Sequence, residues 1–121
     1  MTSPNTRRPR PWWHWLLIAL ALLIALAAAL LAYNWTHLTS QAQLGVRYTA
    51  RVACSCRFVE NRSLASCERD KEPGTEMVTL RDDPATGRLF ASIPFLAEAA
   101  AEKRGDFGCV LLTPAELAAA D

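Results

Sequence analysis

The side chains in this 121-residue chain best suited to redox, metal or nucleophilic chemistry are four cysteines and two histidines. They are Cys54, Cys56, Cys67 and Cys109, with His14 and His37. Cys54-Ser55-Cys56 sets two thiols one residue apart, and Arg51 and Arg57 are near enough in sequence to lower a thiol pKa. That is the basis of a thiol-redox or metal-handling reading. Against it, no Cys-x-x-Cys is present, and the intervals of 1, 10 and 41 residues between successive cysteines match no common zinc site. The histidines lie in or beside a long apolar run, away from the cysteines, so no Ser/His/Asp or Cys/His set can be assembled. No catalytic, cofactor-binding or metal residue is therefore assigned and no cofactor is expected. An even cysteine count in a small exported domain reads instead as structural disulfides.

Four cysteines allow three pairings. Cys54 with Cys56 closes a tight, strained ring and ranks last. Cys54–Cys109 with Cys56–Cys67 closes loops of about 56 and about 12 residues, which the chain-entropy model values at about 4 and about 3 kcal/mol. That is comparable to the whole stability of a small domain. The crossed pairing, Cys54–Cys67 with Cys56–Cys109, stays open, because two cysteines two apart on a strand share one face.

What must position these residues begins upstream. Leu16 to Tyr33 is eighteen apolar residues without a charge, glycine or proline. Trp12, Trp13 and Trp15 precede or open it, and Tyr33 and Trp35 close it. Such rings favour the headgroup layer. Trp12 and Trp35 would lie roughly 35 Å apart on a helix, which suits a bilayer core of about 30 Å with its interfaces. Arg7, Arg8 and Arg10 lie before the run, with no acid among them. The positive-inside rule keeps that end cytoplasmic. The rival is a cleaved signal peptide, supported by the basic start and by Ala27-Ala28-Ala29. The length of the run and its aromatic flanks favour an uncleaved signal-anchor.

The net charge of +1 conceals an asymmetry: after the apolar run, twelve acidic residues face ten basic ones. No basic patch with interleaved aromatics argues for nucleic acid, and no small-molecule ligand is evident. Glu68, Asp70, Glu72, Glu76, Asp82 and Asp83 are interleaved with Arg69, Lys71 and Arg81 and read as a solvated face.

The expected organisation is a disordered basic head at 1–11, a transmembrane helix at 12–35, a juxtamembrane linker at 36–45 (with an extension of the helix over Thr36 to Leu44, ended by Gly45, as the alternative), a disulfide-bonded domain at 46–113 and a short C-terminal helix or frayed tail at 114–121. Within the domain, Val46 to Ala53 alternates and predicts a half-buried strand. Ser63 is the N-cap of a short helix carrying Leu64 and Cys67. Glu76 to Arg81 and Arg88 to Ile93 predict a hairpin around the Asp82–Gly87 loop. Leu96 to Lys103 has helix propensity but leads into a strand over Phe107 to Leu112. Thr113 and Pro114 begin the last helix.

The string Ala53-Cys54-Ser55, Phe58-Val59, Asn61-Arg62, Leu89-Phe90-Ala91-Ser92 and Gly108-Cys109-Val110-Leu111 resembles a known segment. It is similar to the short N-terminal region preceding the catalytic domain in exported serine hydrolases of the beta-lactamase and penicillin-binding class, including hydrolases of amino-hexanoate oligomers. The resemblance covers about half the chain. It implies that Leu96 to Arg104 is extended and pairs with Phe107 to Leu112, and that Cys54 bridges Cys109. Here Cys56 stands where the family has glycine, and Cys67 is also additional. A pair gained together implies a second bridge, Cys56–Cys67. The catalytic domain is missing from the match: no serine here has lysine three residues on, the pairing that class needs.

The expected fold class is an N-terminal single transmembrane helix followed by a small α+β, mainly antiparallel β, disulfide-stapled domain. The expected function is a non-enzymatic, membrane-anchored periplasmic accessory or interaction module in a bacterial inner membrane. Its partners would be the lipid bilayer and a membrane or periplasmic protein, a hydrolase or a larger complex. The alternatives are a periplasmic redox or metal-handling protein using Cys54 and Cys56, and the detached N-terminal module of an amidase-like serine hydrolase.

Overall fold

A computed structural model describes Thr2, Pro4 and residues 11–120. Arg7, Arg8 and Arg10, and with them most of the expected disordered head, lie outside the described residues. The chain forms two compact units, 1–35 and 36–121.

In the first unit, helix α1 runs Trp12–Tyr33. An unbroken series of Leu, Ile and Ala gives it high helix propensity. Asn34 ends it by turning its own N–H and its side-chain amide onto the Leu30 carbonyl. None of its residues is buried, and it is long and apolar enough to cross a membrane.

The second unit opens with α2, Trp35–Cys54. This corrects two expectations: residues 36–45 are not a linker, and Val46 to Ala53 is not a strand. Gly45 does not end the helix; it sits inside it. The buried residues of α2 are Ala42, Val46, Thr49, Ala50, Ala53 and Cys54, which is helical spacing. The alternation of Val46, Tyr48, Ala50 and Val52 misleads because Tyr48 and Val52 are exposed rather than core residues. As a result α2 is almost as long as the four strands combined, and the domain is α+β without being mainly β.

A π-helical turn, Ser55–Val59, follows directly. Glu60 N–H closes it onto the Ser55 carbonyl. Helix α3, Leu64–Arg69, has the expected Ser63 cap, whose hydroxyl accepts from the Ser66 N–H at 3.2 Å. Two consecutive turns, Thr75 N–H to the Glu72 carbonyl and Val78 N–H to the Thr75 carbonyl, then delay the sheet. Strand β1 is therefore Thr79–Asp83 rather than Glu76 to Arg81.

Strands β2 (Arg88–Ile93), β3 (Ala97–Lys103) and β4 (Cys109–Leu111) complete an antiparallel sheet in the order β1-β2-β3-β4. β4 is shorter than the expected Phe107 to Leu112 strand, since Gly105–Phe107 is a 3-10 turn. β3 (AEAAAEK) is extended despite its helix propensity. It lies inside the sheet, bonded to β2 and β4 along its edges, and tertiary pairing outweighs a propensity of a few tenths of a kcal/mol per residue.

One sheet face packs on α2. Val46, Ala50, Ala53 and Cys54 meet Leu80, Leu89, Ala91, Ala99, Ala101 and Cys109 in one core. Alanine on both sides of this contact lets helix and sheet approach closely. On the other face the Arg81 guanidinium covers the Phe90 ring, 4.2 Å from its centroid. Cross-sheet ion pairs run from Arg88 through Glu102 and Arg104 to Glu116. Helix α4 is Pro114–Ala120. Its start is a reciprocal box: Glu116 N–H donates to the Thr113 hydroxyl and Thr113 N–H to the Glu116 carboxylate.

The β2–β3 turn departs from local preference. Leu96 N–H donates to the Ile93 carbonyl at 3.1 Å, Pro94 takes the second place and Phe95 the third, with φ +65°. Turns of that shape favour glycine there, and the left-handed backbone costs a bulky residue about 1–2 kcal/mol.

Candidate functional site

The cysteines group around the C-terminal end of α2. Cys54 bridges Cys109 and Cys56 bridges Cys67, with Cα separations of 6.0 and 5.9 Å. On a strand these two cysteines would share a face. On a helix, two residues are about 200° apart, so α2 sends them to opposite sides. Cys54 points into the core and joins β4. Cys56, at the opening π turn, reaches α3. The choice that alternation left open is made by helical geometry. Among the described residues no cysteine is free.

Beside the Cys56–Cys67 bridge lies a cleft of about 540 Å³. One wall is α2, through Tyr48, Thr49, Arg51 and Val52; the other is the segment from Glu60 to Thr75. The basic groups of the second wall are engaged. Arg62 pairs with Asp70 at 2.6 Å, and the Lys71 ammonium donates to the Val78 carbonyl at 2.8 Å. Across the cleft, Arg51 has no ion-pair partner among the described residues. Thr49 is 5% exposed, and its hydroxyl has no hydrogen-bond partner among the described residues.

The exposed side of α2 continues this wall. Leu44, Tyr48 and Val52 follow at intervals of four and are all exposed, which makes one apolar stripe on the helix surface. Arg47 and Arg51 flank it, and α2 contains no acidic residue. The alternating-strand reading hid this stripe. The four-residue spacing of Leu44, Tyr48 and Val52 is the signal that reveals it once the segment is helical. Chemically the surface offers apolar area, a phenol and an uncommitted guanidinium, which suits binding.

The π turn is held to the sheet by Arg57, whose Nε lies 2.8 Å from Asp82 Oδ2. Far from the cleft, the Glu116 carboxyl is held below the usual carboxylate range, first by the Thr113 N–H and then by Arg104. Arg104 is raised in turn, chiefly by its hydrogen bond to Glu116. Glu76 is lowered by backbone N–H groups, its own and that of Gly74. These shifts belong to caps and turns outside the cleft.

The aromatic residues expected at a membrane interface occupy both ends of α1. Trp12, Trp13, Trp15 and Tyr33 are exposed, as is Trp35 at the start of α2. Among the described residues no group of three or more His, Cys, Asp or Glu side chains is placed to hold a metal ion. Comparison with protein-family models, curated proteins and solved structures finds no match.

Proposed function

We propose that this chain is a single-pass membrane protein whose C-terminal domain is a non-enzymatic interaction module on the periplasmic side of a bacterial inner membrane. The observation that carries the reading is a covalent one. An apolar helix of spanning length, none of it buried, is joined through Asn34 to a domain closed by two disulfides. Disulfides persist in oxidising compartments, and the arginines at positions 7, 8 and 10 favour a cytoplasmic N-terminus. The binding surface is the cleft and the Leu44–Tyr48–Val52 stripe.

The partner class we favour is a hydrolase or a larger membrane complex. Its support is the resemblance to the segment that precedes an exported serine hydrolase domain. The extended β3 beside β4 and the Cys54–Cys109 bridge both agree with that resemblance.

The test is capture from mild detergent followed by mass spectrometry, with full-length Tyr48→Glu and Val52→Glu variants as controls. A membrane or periplasmic protein recovered with the natural chain and lost with both variants is the expected result. Recovery unchanged by the two variants removes the stripe from the proposal. Thiols that cycle after export, or a metal retained through dialysis, overturn the non-enzymatic reading in favour of redox or metal handling.

A further inference from the structure

The two ends of the sheet differ in chemistry. The end carrying the β1–β2 and β3–β4 connections is charged, with Asp82, Asp83, Arg88, Lys103, Arg104 and Asp106. The other end carries the β2–β3 turn, Ile93-Pro94-Phe95-Leu96-Ala97, without one charge. Phe95 there is fully exposed, and Met77, just before β1 at the same end and next to the exposed Glu76, is 72% exposed. The position that favours glycine holds a bare phenylalanine in left-handed backbone. Nothing the ring touches within the domain repays that choice.

The structure also fixes where this turn lies along α2. The Gln43 amide donates to the Glu98 carbonyl at 3.3 Å. Cys54 is bonded to Cys109, which pairs with Lys103. From Gln43 to Cys54 the helix advances about 17 Å, and from Glu98 to Lys103 the strand advances about 17 Å. Helix and strand therefore run side by side in the same direction. Phe95, three residues before Glu98, lies about 8–10 Å further back. On the helix that is the level of Thr36 to Leu38. The turn tip is thus beside the first turn of α2, where the chain has just left the apolar helix.

We propose that Phe95 is a second bilayer contact, its ring entering the headgroup layer of the membrane that holds α1. Apolar rings on an uncharged tip partition into that layer, and the charged residues of the sheet lie at its opposite end. The domain is then held at two points, and its rotation about the anchor is restricted. This inference rests on the reading of α1 as a membrane anchor.

Phe107 provides a matched comparison, since it is equally bare but flanked by Arg104 and Asp106 at the opposite end. The full-length chain is placed in phosphatidylcholine–phosphatidylglycerol vesicles with p-benzoyl-phenylalanine replacing Phe95, Phe107 or Ile24, and irradiated. Lipid adducts at position 95 several-fold above those at 107, with adducts also at 24, are the expected result. No excess at 95 over 107, or capture of protein instead of lipid at 95, overturns the second contact while a labelled position 24 leaves the anchor standing. An unlabelled position 24 removes both. Independently, Phe95→Gly raises the thermal midpoint of the domain by a few degrees, because it relieves the turn. A lowered midpoint means that the ring serves the fold, and it overturns the proposal.

Discussion

Gly45 is the residue that most misdirects a reader of this chain. It lies in the interior of α2, and a Cβ built on it meets nothing within 4 Å. Its conformation does not require glycine either, so Gly45→Ala is expected to stabilise the domain by about 0.5–1 kcal/mol, read from the shift of the denaturant midpoint at constant slope. Thr49 is a second misfit. Its buried hydroxyl lacks a partner among the described residues, and a buried unpaired group costs about 1–3 kcal/mol. Thr49→Val keeps the shape and is expected to gain about 1 kcal/mol, an effect that chemical denaturation can resolve. Unchanged stability would show that the hydroxyl finds water in the cleft.

At the scale of elements, the two bridges differ in reach. Cys54–Cys109 spans 55 positions and Cys56–Cys67 only 11. Replacing each pair by serine is expected to cost about 4 and about 3 kcal/mol respectively, with unfolding followed by circular dichroism. The first loss should be the larger, since it also opens the core between α2 and β4. The α4 cap has its own signature. Because the folded Glu116 carboxyl titrates below its ordinary value, its contribution is present above the usual carboxylate pKa and is lost as pH falls through the folded value. The α4 amide signals in an NMR titration should therefore report loosening in that acid window, and Glu116→Gln should flatten the response. Where short-range chemistry decides, the elements were legible in advance: the Ser63 and Thr113 caps, the hairpin ahead of Arg88, the strand broken by Pro94. α2 was not, because eight alternating residues mimic a strand when read from Gly45. The true period appears only when the window extends back to Ala42. β3 was not legible from propensity because its conformation is set by two neighbours distant in sequence. The apolar stripe of the candidate site was invisible for the same reason as α2, whereas the cysteines that frame it were evident from composition.

At the scale of the whole molecule, the membrane reading predicts that the chain stays with membranes after carbonate extraction and that protease added from the periplasmic side removes the domain but not the N-terminus. Extraction into the soluble fraction would instead indicate that the apolar helix is not an anchor. The order of the cysteines carries one more consequence. Cys54, Cys56 and Cys67 precede Cys109 in the chain, and the Cys54–Cys109 bridge needs the final edge strand. Closure of the short loop removes both competitors for Cys54. Were Cys67 to pair with Cys54 first, Cys109 would arrive to find the wrong thiol waiting, and the error could be undone only by exchange. If the small bridge closes first, Cys54 is left for Cys109 alone; Cys56→Ser is then expected to raise the share of Cys54–Cys67 mispaired chains, read by non-reducing peptide mapping.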